Sequence, residues 1–406
     1  MRAAVGVLHG IALPVVGYAF PAAAAVAVFA SPLRSINGWG WRIKSLLVSS
    51  ILSAVMILVS AIANGVPLPM LNILSTVAFA LLLLAGAKIT EDERSAAALA
   101  AWTALGVIFF YVVFGSSGTR DTFEHLWKYG IALPVGILVA HQLCTRTGSR
   151  AIISFVLLAL ATVTITLGFR SHGLVIIAAV LLLVAKGPSA SGRRKIVKVV
   201  IAAALFAAAS VAIPALIRAD TLGESVRVRT EEQLSSGASI LLAGRVEPPL
   251  SIAAILARPV LGWGSLESID DDTFVAAREL AAAMGLTSPA EYLNLWIQSD
   301  GRVSLHSTLF EAWALGGTAA VIAPLLMVLI FGAAIAKVSG TWAPLVLIVS
   351  VQGIWDLFFS PWGAGRPGML AASVLVAAWA VSAARKPVSG VLSINREESL
   401  NWKKPV

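Results

Sequence analysis

The sequence predicts an all-α polytopic membrane protein of about 11–12 transmembrane helices, with a helical cap outside the bilayer between residues 218 and 304. Two observations of composition and one of pattern predict it. Hydrophobic residues make up 58% of the 406 positions and charged residues only 13%, where soluble domains carry roughly 45–50% and about 25%. Mean hydropathy is +0.88. Apolar runs of about 18–22 residues recur along most of the chain, each long enough to cross roughly 30 Å of hydrocarbon as a helix.

In order, the runs cover approximately 3–30, 46–63, 68–87, 96–115, 130–144, 151–169, 173–185, 196–217, 305–336, 342–359 and 367–384. The first is interrupted by Pro14 and Pro21, so it reads as one kinked helix or two short ones. It resembles a signal peptide with a cleavage site near Ala30. Cleavage would leave Arg34, Arg42 and Lys44 on the translocated side, against the positive-inside rule, so a retained span is expected. Residues 1–217 then hold the first eight or so helices, 218–304 the cap, 305–384 the C-terminal helices and 385–406 a cytoplasmic tail.

The formal charge of +9 points to topology rather than nucleic acid, because the cations fill short connections between apolar runs and are not interleaved with aromatics on a polar surface. Every second connection is basic, which defines a cytoplasmic side. The remaining connections, 64–67, 116–129, 170–172, 218–304 and 360–366, contain a single lysine, Lys128, and their other cations are arginines. Arginine presents a rigid fork of donors suited to phosphate and carboxylate, although a codon bias toward arginine would give the same count. The single cysteine, Cys144, forms no internal disulfide and carries no redox inference.

Residues 218–304 are too long for a plain linker and read as helical. Glu224–Ser236 suits a polar helix, and Ser239–Ala257 is apolar with Pro248-Pro249 as an interruption. Asp272 is expected to cap a helix with Phe274, Ala277, Leu280, Ala281 and Met284 on one face and Gly285 at its end. Ser288-Pro289-Ala290-Glu291 is a capping box opening an amphipathic helix with Tyr292 and Trp296. Such a segment suits a cap that shields a membrane cavity from water.

Three segments carry candidate chemistry. Leu167-Gly168-Phe169-Arg170-Ser171-His172-Gly173 leaves Arg170 almost no loop, so its side chain must enter protein or headgroups. Ala243-Gly244-Arg245 precedes Arg258-Pro259-Val260-Leu261-Gly262-Trp263-Gly264, a tight turn whose glycines permit close backbone approach to a ligand. The junction from Leu305 to Gly317 places His306 at a helix end, where an imidazole exchanges protons near neutral pH. Glu311 lies about 140° further round the helix, so direct pairing with His306 is not expected. Asp270-Asp271-Asp272 reads as a helix start or as a metal cluster, and Asp356 as an acceptor-side carboxylate or, the preferred reading, the salt partner of Arg366. His9, His141 and Gln142 read as packing residues, and His125 as a solvated one.

In this order and spacing the three segments resemble the bacterial O-antigen ligase and O-antigen polymerase family. The resembling features are the turn at Arg170, the Gly-Arg pair with Pro-x-x-Gly-x-Gly at 259–264, and His-Ser-x-x-Phe-Glu with glycine at 316 and 317. The chain departs in reading Arg-Ser-His-Gly at 170–173, where the family has Ser-Arg-Gly, and in Ser307 for asparagine. The resemblance implies metal-independent, cofactor-free, inverting transfer of a glycan from undecaprenyl diphosphate to a hydroxyl of a glycan or lipid-core acceptor. It places the work on the periplasmic or extracellular face of the inner membrane, with the C-terminus cytoplasmic. By position Arg170 and Arg245 match the arginines that hold the diphosphate, and His306 the histidine near the acceptor. Arg258, Gly262, Gly264, Arg302, Ser307 and Glu311 complete the expected substrate-binding set. A secondary transporter or flippase is the main alternative. Its broken helices and polar groups would sit at mid-bilayer within internal repeats, and no internal repeat is evident.

Overall fold

The computed structural model describes residues 2–15, 18–21, 40–115, 123–186, 247–285, 296–297, 301–363 and 365–383. Arg245 and the expected helices at 196–217, 224–236 and 288 onward lie outside these residues, apart from Trp296 and Ile297. The fold is an all-α polytopic membrane fold, to which the N-terminal segment adds one small hairpin. Helix α1 (Arg2–Gly10) is followed by β1 (Ala12–Val15) and β2 (Tyr18–Pro21), paired antiparallel with Ala12 opposite Pro21. This corrects the expectation of one or two helices filling residues 3–30. A proline in each strand withholds the amide that a continuous helix needs. Helix α1 stays close to the bundle because Gly6 and Gly10 lack side chains. A Cβ at Gly10 would strike the backbone of Thr103 to Val107, the close approach that small residues four apart allow between membrane helices.

Helices α2 (Trp41–Asn64), α3 (Met70–Ile89) and α4 (Glu93–Phe114) follow as long apolar spans. Helix α2 stops where Gly65 turns left-handed and the Gly65 and Val66 amides close back on Ile62 and Ala61. Helix α4 starts from a reciprocal capping box between Asp92 and Ser95. A helical turn (Phe123–Leu126) and a π-turn (Trp127–Ile131) lead into α5 (Ala132–Arg146), then α6 (Arg150–Thr166) and α7 (Arg170–Ala185).

After the undescribed stretch come α8 (Pro248–Ala257) and α9 (Asp271–Ala283). The N-cap of α9 is Asp270, which accepts from the Thr273 amide, so the cap falls two residues before the expected Asp272. Asp271 and Asp272 occupy the first turn instead, where negative charge suits the helix dipole.

The span expected over 305–336 is broken. Helices α10 (Thr308–Ala320) and α11 (Ile322–Lys337) meet at an angle of 107°, and the turn is made by Gly317 at φ 68°. Helices α12 (Ala343–Phe359) and α13 (Arg366–Ala383) complete the bundle. Helix α13 is its axis, packed against α3, α4, α11 and α12, with 78% of its apolar window buried in protein.

Among the described residues four helices, α2, α3, α4 and α13, are long and apolar enough to cross a membrane singly, or five spans if the bent pair counts as one. Helices α6, α7 and α12 have 17, 16 and 17 residues and are apolar but shorter. Large apolar side chains stay exposed along α2 (Val48, Ile51, Val55, Ile62), α4 (Phe109, Val112, Val113) and α6 (Ile152, Phe155), apolar helix faces of the kind a bilayer stabilises and water does not.

Candidate functional site at one end of the bundle

The Arg170 segment is built by a tight helix end. Gly168 adopts φ 80° while the Gly168 and Phe169 amides bond to the carbonyls of Ile165 and Thr164, so α6 stops and α7 begins at Arg170 almost at once. Arg170 is half-buried. Two residues on, His172 is fully buried, and its Nδ1 lies 2.7 Å from Gln352 Oε1 on α12. Gln352 donates to Asp356 Oδ1 at 3.0 Å, the Ser360 hydroxyl donates to the same oxygen at 3.0 Å, and Arg366 Nη1 stands 3.2 Å from it. The Arg366–Asp356 contact is at ion-pair distance, but its angle falls short of a hydrogen bond. Asp356 is therefore the salt partner of Arg366, and it also joins α7, α12 and α13 at one end.

The His306 segment is anchored to the same end of α12. Ser307 is the N-cap of α10. Its oxygen accepts from the Phe310 amide at 3.1 Å while its hydroxyl donates to the Leu357 carbonyl at 3.0 Å. The Thr308 amide and hydroxyl both donate to the Ser360 carbonyl. His306, just before the cap, is the one non-glycine among the described residues with positive φ, at 45°, a conformation that costs energy and collects at functional sites. Its Nδ1 lies 3.3 Å from Glu247 Oε1, at ion-pair distance but with an angle that falls short of a hydrogen bond, and makes no hydrogen bond among the described residues. A cleft of about 10 Å³, room for roughly one water, opens here between His306, Glu247, Pro248, Ser251, Phe310 and Phe358.

Glu311 points elsewhere, as its angular separation from His306 requires. It is 5% exposed and accepts from Asn72 Nδ2 of α3 at 3.1 Å, with the Ser304 hydroxyl and Leu305 amide also bonded to it. The carboxylate expected to bind substrate thus braces the turn that carries His306.

The glycine loop also meets protein. Gly317 breaks α10, and the carbonyls freed at Ala314 and Leu315 accept from the Trp263 and Gly264 amides at 2.7 and 2.9 Å. Gly262 and Gly264 have φ near 79° and 77°. Added side chains would meet Ala314 O at 2.7 Å and Ala61 Cα at 2.5 Å respectively, so their close backbone approach is to α10 and α2. Arg258 donates to Asn64 Oδ1 at 2.8 Å and lies 4.1 Å above the Trp263 ring, while Asn64 Nδ2 donates to the Gly262 carbonyl at 3.2 Å. Arg302 is exposed in the segment whose Val303 pairs with Ile297.

The structure therefore gathers Arg170, His306 and Ser307 on elements fixed to one end of α12. Gly262 and Gly264 sit against the far end of α10, and Arg258 against Asn64 of α2 and the Trp263 ring. Two residues that sequence reading passed over, Gln352 and Glu247, complete the picture beside Asp356, which it had paired with Arg366. Gln352 and Asp356 gave a signal, a polar pair four apart inside an apolar helix. Glu247 gave a weaker one, an acidic residue directly before Pro-Pro at a helix start. His9 is fully buried with ring nitrogens 2.8 and 3.2 Å from the Val5 and Leu82 carbonyls, and His141 packs at a tilt against Trp342, ring centroids 5.4 Å apart. Both have packing roles. Comparison with protein-family models, with characterised proteins and with solved structures yields no match to this chain.

Proposed function

We propose that this chain is a membrane glycosyltransferase of the O-antigen ligase or polymerase type. In this reading it moves a glycan from an undecaprenyl-diphosphate-linked donor to a sugar hydroxyl at the outer face of a bacterial inner membrane. The observation that carries the reading is the shared anchorage of two segments distant in sequence. The start of α7, with Arg170, and the start of α10, with His306, are both bonded to the last two turns of α12. An anion reader and an imidazole at one mouth of an apolar bundle are what the reaction needs. The acceptor oxygen attacks the anomeric carbon, the bond from that carbon to the diphosphate oxygen breaks, and the electron pair leaves on the lipid diphosphate. Guanidinium groups at Arg170 and Arg245 stabilise that leaving charge, and His306 takes the proton from the attacking hydroxyl.

The test is alanine replacement of Arg170, Arg245 and His306, each checked for membrane expression, with glycan chain length or attachment read in cells. A loss of about 100-fold or more is expected for His306→Ala, in the range of lost general-base catalysis. Wild-type output from all three variants removes the mechanism. The 107° break between α10 and α11 favours one second reading, a transporter, since discontinuous helices build transporter sites. Solute uptake by the purified chain in vesicles would decide for it.

A further inference from the structure

Glu247 sits where a helix cap is expected and does not cap. It occupies the N-cap position of α8, ahead of Pro248 and Pro249, yet its side chain makes no bond to the first turn. Short polar side chains at that position normally satisfy an exposed helix amide. Here the prolines supply no amides at the first two positions, and the Glu247 carbonyl takes the Ser251 amide and hydroxyl at 3.0 Å each. The carboxylate is left over from helix building, and it lies 3.3 Å from His306 Nδ1.

From the histidine's side the pairing is equally specific. Nδ1 is buried and has no hydrogen-bond partner among the described residues, so its contact with the Glu247 carboxylate at 3.3 Å is electrostatic, while the imidazole as a whole keeps 36% of its side-chain surface and Glu247 only 15%. The ring thus sets Nδ1 toward a carboxylate, and His306 and Glu247 together line a cleft with Ser251, Phe310 and Phe358. The backbone beneath it is held at φ 45° by Ser307, bonded to Leu357, and by Glu311 through Ser304 and Leu305.

We propose that Glu247 is a positioning residue that holds His306 with its proton on Nδ1 and presents a bare Nε2 to the cleft. A carboxylate on one ring nitrogen fixes the tautomer and leaves the other as the base. The proposal rests on the transferase reading for its catalytic consequence. There, Nε2 accepts the proton of the acceptor hydroxyl as its oxygen bonds to the anomeric carbon, and Glu247 stabilises the imidazolium formed.

The experiment uses the full chain in lipid nanodiscs with ¹⁵N-histidine. His306→Gln identifies the His306 signal among the five histidines, and wild type is compared with Glu247→Gln and Glu247→Asp in alkaline buffer, where imidazole is neutral. Wild type is expected to show the Nδ1–H tautomer. Glu247→Gln, which keeps shape and loses charge, abolishes that preference, and Glu247→Asp partly restores it. The same preparations are assayed with the lipid-diphosphate glycan fraction extracted from host membranes. For Glu247→Gln, kcat is expected to fall about 10–100-fold, within the range of general-base effects, with KM changed less than about twofold, and Glu247→Asp recovers part of kcat. A tautomer indifferent to Glu247→Gln overturns the proposal, and so does a change in KM alone. If the wild type transfers no glycan, the transferase reading fails, while the tautomer comparison still decides the pairing.

Discussion

Replacing Gly264 by alanine separates two costs that usually arrive together. The position has φ 77°, and an added Cβ would lie 2.5 Å from Ala61 Cα and 2.7 Å from Ala61 N, in the backbone of α2. Gly285, at the end of α9, has φ 83° and nothing within 4 Å of the same added atom. Gly285→Ala therefore reports the left-handed backbone alone, about 1–2 kcal/mol. Gly264→Ala adds an overpacking cost of about 1–3 kcal/mol. That cost sits at the upper end, because the clash is with helix backbone and no side chain can swing away. It also pulls on the Gly264 amide, which satisfies the Leu315 carbonyl at 2.9 Å. Thermal unfolding of purified variants in one detergent, followed by tryptophan fluorescence, measures the difference. Gly264→Ala should lose at least twice the melting-temperature increment of Gly285→Ala. Equal losses would refute the claim that the 259–264 loop is clamped between α2 and α10.

The junction at Asp356 offers a second check. Asp356→Ala strands the Gln352 and Ser360 donors and the half-buried Arg366 charge, which should cost about 2–4 kcal/mol in the same unfolding measurement, whereas an unchanged melting temperature would mean that the three contacts do not form together. The third concerns pH. Hydrogen bonds from the Thr273 hydroxyl, then from its amide, hold the Asp270 carboxyl below its ordinary value. A lowered folded-state value adds stability that is fully present above the ordinary aspartate value and is lost as pH falls through the lowered one. Asp270→Ala should therefore melt below wild type at neutral pH, and the two curves should converge in acid. A gap that widens in acid would contradict the assignment.

Hydropathy made the helical membrane class legible because it counts what lipid rewards, and α2, α3, α4 and α13 follow the expected runs within a few residues. It is blind to backbone breaks inside an apolar run. Residues 305–336 look continuous, yet the break at Gly317 is stable only because the loop at 259–264 supplies amides to the carbonyls it frees, a partner about fifty residues away that no local pattern encodes. The cap of α9 moved to Asp270 for a more local reason. Three consecutive aspartates all suit a helix start, and Thr273, which bonds Asp270 with both its amide and its hydroxyl, selects among them. At the candidate site, Arg170 and His306 stood out in the sequence by their places at helix ends, but most of what holds them did not. Gln352 and Glu247 act through side-chain pairings across the bundle that one sequence does not display, whereas the Asp356–Arg366 pair was expected from it.

The short helix α10 explains why the site lies where it does. A continuous span would present its N-terminal residues on a frayed end, free to relax. Here α10 is clamped twice, at its start by Ser307 and Thr308 on the Leu357 and Ser360 carbonyls and at its end by the Trp263 and Gly264 amides. A segment fixed at both ends holds a non-glycine residue such as His306 at φ 45° against a strain of about 1–3 kcal/mol. The strain is useful if it aims the ring, because relaxing φ to a helical or extended value would swing the imidazole off Glu247 and out of the cleft. The Gly317 break and the His306 strain are then two parts of one device. The bend lets a rigid half-helix end at the site, and that rigidity maintains the unfavourable backbone that sets the direction of the histidine.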